Sequence, residues 1–397
     1  TSGSLQAVLS AVQSLPTEEL GKVMSTLSAP GNVPIQSGLA NNFINLGSML
    51  STTLHNEPPS IENSVLKKIV ASTMDIKSAV VTLFTPSKVN QDLTRRFDIL
   101  PMPSALPQMF RTSMGQASAW IKTEFKTFTQ KADENPARLA PALVSHTKNT
   151  QVGLDYQLTN KILVGLTTGY AHLNYRLSEN YGQGQTNSYQ LGMYSSIFVN
   201  PNWYIDNLAS YSYTQFKGQR NISFSTFNAQ AHQRHHGHQG SLFMETGYDV
   251  YLPNQYVVTP LVNASFIHLK ESAYTETGAD TVGLSVNAQG RTYLQGKMGG
   301  QLARYITYNE IKLYGFVKLA YTAQKGLSNS AKMTATFIGQ TGKFQTTGNN
   351  MLHHIASPSA GVTALFNNDV YISFAYSGDF GKVQRMQEGF IKVGKKF

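Results

Sequence analysis

The chain has 397 residues, no cysteine, 14% charged residues and a formal net charge of +10. That length accommodates a large domain with a smaller one, and the lack of cysteine excludes a disulfide scaffold, a thiolate metal site and a cysteine nucleophile while suiting an oxidising compartment. No run of about 18 apolar residues occurs, which excludes a transmembrane helix; Lys and Arg are scattered along the chain rather than clustered on one element, so lipid headgroups, not nucleic acid, are the expected partner of the positive charge.

The first hundred residues read as helical. Thr1-Ser-Gly-Ser has no basic start and no apolar core follows, so no signal peptide is expected and a secreted protein stands here as a processed form or a fragment. Leu5, Val8, Leu9 and Val12 form one apolar stripe. Thr17 is placed as the N-cap of a second helix, with Glu18 and Glu19 in its first turn, and Leu20, Val23, Met24 and Leu27 continue the spacing until Pro30-Gly31. Leu39, Phe43, Leu46 and Leu50 form a third stripe, and Ile61, Val65 and Ile69 a fourth. Residues 1–100 are therefore a helical pre-barrel region, either a spacer or a small helical domain. Pro101-Met-Pro103 breaks the pattern, and residues 101–116 form a linker. Within it Ser104 to Gly115 carries Leu106, Met109, Phe110 and Met114 at helical spacing and one charge, Arg111.

From Ala117 to Phe397 the period is two. Twelve strands are expected: 117–129, 146–158, 162–175, 186–199, 203–217, 238–251, 256–269, 291–305, 310–324, 351–366, 370–379 and 388–397. These are longer than strands of soluble sheets and match what a tilted strand needs to cross a bilayer. Every second connection is short and turn-rich: Thr159-Asn160-Lys161, Asn200-Pro201-Asn202, Pro253-Asn254-Gln255, Thr307-Tyr308-Asn309 and Asn367-Asn368-Asp369. The others, 130–145, 176–185, 218–237, 270–290, 325–350 and 380–387, are longer and polar. Short turns on one rim and long loops on the other are the up-and-down pattern of an outer-membrane barrel; Greek-key crossings would not alternate in this way.

The faces agree. Val152, Leu154, Tyr156 and Leu158 oppose Gln151, Gly153, Asp155 and Gln157. Tyr189, Leu191, Met193 and Ile197 oppose Gln190, Gly192, Tyr194 and Ser196, and Leu313, Val317 and Leu319 oppose Lys312, Tyr314 and Lys318. Apolar side out and polar side in suits lipid outside and a wet lumen. The expected lumen charges are Lys122, Glu124, Asp155, Glu245, Asp249 and Lys297. They either hold a plug or tune ion flow, or simply solvate the lumen. In the last strand Ile391, Val393 and Phe397 share the apolar face, with a terminal aromatic suited to the interfacial girdle.

Motifs for chemistry are sparse. His232, His235, His236 and His238 cluster in an expected long loop; without a carboxylate partner there, no specific metal site is expected. There is no Gly-x-Ser-x-Gly elbow and no Gly-rich phosphate loop, so neither an enzyme nor a cofactor is expected.

Residues 272–303 resemble the Tyr-x-Glu-x-Gly-Ala…Leu-x-Val…Leu-x-x-x-x-Gly pattern of bacterial autotransporter β-domains, with matches at Tyr274, Glu276, Gly278, Ala279, Leu284, Val286, Leu294 and Gly299. Ser118-Ala-Trp-Ile121, Val370–Gly381 and Phe397 extend the resemblance, and Leu15–Leu20 with Leu27–Pro30 is similar to the Leu-rich end of many passengers. Lys395 and Lys122 depart from the usual residue types. Asn41-Asn42 is similar to the scission site of some members but lies some 75 residues before the first strand. The resemblance implies an all-β protein: a twelve-stranded antiparallel transmembrane barrel (117–397) with a helical N-terminal region and a helix in the lumen. That translocator of the Gram-negative outer membrane anchors and exports an N-terminal passenger. It implies as partners outer-membrane lipid and lipopolysaccharide, the barrel assembly machinery, periplasmic chaperones and the passenger. The pore helix would be Ser104 to Gly115, including Met109, Phe110 and Arg111, because the short Gln116-Ala117 link cannot carry it far from the rim. The alternatives are a porin-like or solute-specific channel, marked by an open lumen, and an outer-membrane hydrolase, marked by a Ser–His pair near the outer rim.

Replacing Phe397 by Asp is expected to block outer-membrane assembly, since a carboxylate near lipid costs on the order of one to several kcal/mol depending on depth. Surface levels of the Phe397→Asp protein measure this, and normal levels contradict it.

Overall fold

The computed structural model describes residues 117–132, 141–159, 161–200, 202–224, 227–308, 311–327, 332–339, 343–347 and 353–397. The helices expected within 1–100 and the linker helix at Ser104 to Gly115 lie outside the described residues.

The strands in chain order are β1 (Ala117–Gln130), β2 (Leu143–Thr159), β3 (Ile162–Leu177), β4 (Gly182–Phe198), β5 (Trp203–Phe224), β6 (Phe227–Tyr248), β7 (Val250–Leu252), β8 (Tyr256–Glu271), β9 (Tyr274–Thr275), β10 (Leu284–Val286), β11 (Gln289–Tyr308), β12 (Ile311–Leu327), β13 (Lys332–Phe337), β14 (Lys343–Thr347), β15 (His353–Leu365), β16 (Val370–Gly381) and β17 (Gln384–Lys396). β7 continues β6 beyond a break at Asp249, so the main sheet is a barrel of twelve strands. Each strand pairs antiparallel with its neighbour, and β8 pairs with β6 and β11. The ring closes where β1 pairs with β17, from Ser118 opposite Lys396 to Gln130 opposite Gln384. Closure matters because hydrocarbon offers no partner for an unpaired N–H or C=O.

Alternation sets the two faces. Leu154 is 64% exposed while Asp155 is 5% exposed, the reverse of a water-soluble protein. Outward large apolar residues recur on every barrel strand, among them Ile121, Leu191, Leu242, Val262, Leu319 and Ile391. The short turns use the left-handed region, with Asn254 at φ 59°, Gln255 at 65° and Asp369 at 62°, and Asn and Asp adopt it more readily than most residues. Two successive positive φ values match the twist of a tight hairpin.

Not all of the interior is polar. Trp120, Tyr194, Phe198, Tyr204, Phe243, Tyr305, Tyr314, Phe316, Tyr371 and Phe390 form a buried apolar cluster inside the barrel. Five of these rings lie over a glycine directly across the strand pair: Trp120 on Gly153, Tyr194 on Gly165, Tyr204 on Gly247, Phe316 on Gly361 and Tyr371 on Gly394. A Cβ at Gly153 would fall 2.3 Å from Trp120 Cζ2, and one at Gly165 2.2 Å from Tyr194 Cζ. The glycine is thus required by close approach of a neighbouring ring.

The strand ends differ from expectation. β5 and β6 are each 22 residues long and reach Phe224 and Phe227, so most of the expected loop 218–237 is a paired hairpin. The expected loop 380–387 shrinks to Lys382-Val383, because β16 runs to Gly381 and β17 starts at Gln384. Two other expected loops contain strands: 270–290 holds β9 and β10, and 325–350 holds β13 and β14. These form a small sheet in the order β14-β13-β10-β9. Above the bilayer both faces of a strand are polar, so its end leaves no hydropathy signal.

Replacing Gly153 by Val is expected to destabilise the barrel by about 1–3 kcal/mol, the usual cost of overpacking. The urea midpoint of the heat-modifiable gel band measures this, and pairing the change with Trp120→Ala should recover part of the loss.

Candidate functional site in the barrel lumen

Every carboxylate on the described barrel strands lies on the inward face: Glu124, Asp155, Asp206, Glu245, Glu271, Asp379 and Glu388. On β1 the period of two brings Lys122, Glu124 and Lys126 to one side. Glu124 pairs with Lys122 and, at 2.5 Å, with Lys126, and Lys126 reaches Glu388 of β17 at 3.3 Å. Asp155 accepts hydrogen bonds from Ser118 at 2.9 Å and from the Tyr194 hydroxyl. Trp120 Nε1 donates to Tyr194 at 3.0 Å.

Other contacts run along the inner wall between strands three places apart in the ring. Glu245 of β6 accepts from Lys318 of β12 at 3.3 Å, as well as from Asn263 at 2.8 Å and Tyr204 at 3.2 Å. Lys297 of β11 meets Asp379 of β16 at 3.4 Å. The charged set also rests on the aromatic one: Lys392 Nζ stands 4.4 Å from the Trp120 ring centre and Lys122 Nζ 5.3 Å from that of Phe390. Asp249, at the β6–β7 break, accepts from Thr259 at 2.6 Å, and its N–H donates to Asn202 O at 2.7 Å.

At the long-loop mouth the segment after β8 continues beside β6, where Thr277 and His232 exchange backbone hydrogen bonds, and it meets the inward side chains of the β5–β6 hairpin. Arg220 of β5 donates to Glu276, Nη2 to Oε2 at 2.6 Å and Nε to Oε1 at 3.2 Å, and to Val282 O at 3.1 Å. Leu284 N–H donates to the same carboxylate at 2.9 Å. Both side chains of this pair are 1% exposed. The His235 ring is stacked between Phe216 at 4.5 Å and Tyr274 at 4.3 Å. Burial, with the Glu276 and Glu271 carboxylates nearby, pushes the Tyr274 phenol well above its ordinary pKa and keeps it neutral.

The structure thus places Lys122, Glu124, Asp155, Glu245 and Asp249 buried on the lumen side, with Lys297 half-buried there. It brings Lys122 and Glu124 together and keeps Asp155, Glu245 and Lys297 in separate clusters. Ile391 and Val393 face outward, and Phe397 is exposed at the rim, its N–H donating to Ala117 O at 2.8 Å. Ser104, Met109, Phe110 and Arg111 lie outside the described residues. The histidine expectation needs correcting: His232, His235, His236 and His238 stand on β6, not in a loop. Alternation sends His235 inward and the other three outward. Among the described residues no three His, Asp or Glu side chains gather to hold a metal ion.

Arg220 and the aromatic layer escaped the sequence reading. Arg220 lies 56 positions from Glu276, with no local signal linking them, although Glu276 itself stands in the Tyr-x-Glu-x-Gly-Ala motif. The inward tyrosines were read as polar; glycine opposite an inward aromatic was the available signal.

A closed twelve-stranded barrel with an apolar exterior and a charged lumen defines an outer-membrane barrel protein. The family model of the autotransporter beta-domain matches residues 119–377, and the chain belongs to that family. It is an outer-membrane translocator domain, of a family whose work is transport. Outer membrane protein A of Rickettsia rickettsii is 24% identical over 295 residues, which cover 70% of this chain and 12% of that protein. The namesake from Rickettsia conorii is 23% identical over 70% of this chain and 14% of its own length. The chain therefore spans about an eighth of the length of these curated relatives. The translocator domain of the autotransporter NalP from Neisseria meningitidis has the same fold (TM-score 0.57, 17% identity, 72% of this chain and 90% of that one). So does the β-domain of the Bordetella autotransporter BrkA (TM-score 0.50, 16% identity, 71% and 99%).

Removing Arg220 leaves Glu276 buried without its partner, a change that typically costs about 3–5 kcal/mol. Arg220→Ala is expected to expose residues 272–288 to limited proteolysis while the heat-modifiable barrel band persists. An unchanged cleavage pattern would show that the mouth segment is held by its other contacts.

Proposed function

We propose that the barrel anchors an N-terminal passenger in the outer membrane and exports it through the lumen, with Ser104 to Gly115 left in the pore as a helix. The observation that carries this reading is the inward segregation of carboxylates, which gives a transiting hydrated chain a polar wall. β1 begins at Ala117 on the short-turn rim, so a helix ending at Gly115 starts within about 7 Å of that rim. A single helix is roughly 10–12 Å across, a diameter suited to a barrel wider than eight strands.

In this reading Met109 and Phe110 pack toward the aromatic layer and Arg111 meets a lumen carboxylate. Lys122, Glu124, Asp155, Glu245, Asp249 and Lys297 solvate the segment. An ion pair in a wet lumen contributes about 1 kcal/mol or less, so shape and the short link to β1 hold the helix. The outward Ile391, Val393 and Phe397 serve as the assembly signal. The barrel assembly machinery and periplasmic chaperones are the partners that a terminal apolar strand of this kind requires before membrane insertion.

Deleting residues 104–115 is expected to raise single-channel conductance in planar bilayers several-fold. Equal conductance with and without the segment would overturn the pore-helix assignment. A reporter fused upstream of Thr1 should become accessible to protease on whole cells, and its retention in the periplasm would contradict export.

A further inference from the structure

The same sorting of charge leaves a distinct outer surface. On the outward face of the described barrel strands no carboxylate occurs, and the charged side chains there are all basic. At the long-loop rim they concentrate between β2 and β8: Lys148, Arg176, Lys217, Arg234 and Lys270, all exposed. Pairing makes the concentration unfavourable by itself. Lys217 lies directly opposite Arg234, and like charges directly opposite one another destabilise a sheet. Lys270 lies opposite His238 and Lys148 opposite His172. Among the described residues none of these five cations has an ion-pair partner. Their height is marked by the aromatic ring of the barrel, because the Tyr211 hydroxyl bonds His238 at 2.5 Å and Tyr170 packs on Tyr189 at 5.4 Å. Such tyrosines sit at the membrane–water interface. The collar therefore begins where the hydrocarbon ends, on the side of the long loops.

We propose that this collar is a binding surface for the phosphorylated glycolipid of the outer leaflet, with Lys217, Arg234 and Lys270 as its central phosphate contacts. An anionic phosphate between Lys217 and Arg234 turns a repulsive pair into a bridged one, and a guanidinium suits bidentate phosphate recognition. Neutral donors stand among the cations, Gln185 of β4 opposite Lys217 and Gln215 of β5 two residues before it, and these suit a saccharide headgroup rather than a bare glycerol phosphate. The opposite rim carries fewer outward cations, notably Arg304 and Lys395. This inference rests on the outer-membrane barrel assignment, which the heat-dependent gel shift tests separately.

The test uses the full 397-residue chain refolded in a neutral detergent, with bound lipid counted by native mass spectrometry. Bis-phosphorylated lipid A, its dephosphorylated form, phosphatidylglycerol and phosphatidylcholine are supplied in competition. Retention of lipid A at least tenfold over each of the other three is expected. Near a charged surface each cation removed weakens binding roughly fivefold, so K217Q/R234Q/K270Q should reduce the preference by at least tenfold, and R304Q/K395Q should leave it unchanged. Two results overturn the proposal. One is an undiminished preference in the triple variant that still shows the heat-dependent shift. The other is phosphatidylglycerol or dephosphorylated lipid A binding as well as lipid A in the unaltered chain, a comparison that needs no variant to fold.

Discussion

The structure depends on one constraint: inside a bilayer a backbone amide has nothing to bond except another strand. Each N–H left open there costs several kcal/mol, so a sheet must have no edge. The seam between β1 and β17 meets that condition with thirteen residues on each strand in register. Much else follows from it. A closed ring of tilted strands has an inside and an outside, and a period of two assigns each residue to one of them. Apolar side chains on the outer face then meet lipid, which is why large ones such as Leu154 and Leu319 are so exposed.

Closure also creates a space that must be filled or solvated. The inward residues do both, in different ways. Aromatic rings laid over glycines of the adjacent strand make a packed cluster, and carboxylates paired with lysines of the same or nearby strands form charged clusters beside it. The contacts between non-neighbouring strands, such as Lys318 with Glu245 and Lys297 with Asp379, tie together strands three places apart along the inner wall. Their worth in a wet interior is modest, but losing one partner of the fully buried Arg220–Glu276 pair is expensive. At the mouth, then, a buried charge pair joins the Tyr274–His235 stack and the Thr277–His232 bridge in holding a whole segment.

How much of this was legible beforehand can be read from particular residues. The alternation of Val152, Leu154, Tyr156 and Leu158 with Asp155 and Gln157 announced both the strand and its faces, because hydrocarbon on one side makes the period unmistakable. The turn at Pro253-Asn254-Gln255 was equally plain, since few residues accept positive φ. The upper halves of β5 and β6 were not, because water bathes both sides there and Lys217, Gln219 and His232 look like loop residues. Tyr194 and Tyr314 were placed on the correct face but for the wrong reason: their hydroxyls suggested solvent, whereas their rings are packed. Arg220 and Glu276 find each other only through the pairing of β5, β6 and β8, which no local pattern encodes.

The even number of strands has a geometric consequence of its own. Ala117 and Phe397 end on one rim, so the chain joins the cylinder at its foot. β3 with its 16 residues measures roughly 53 Å along its length, or about 40 Å along the axis at a tilt of 35–45°. A chain drawn through a bore of that height needs about twelve residues if it is extended, or about 27 if it is helical.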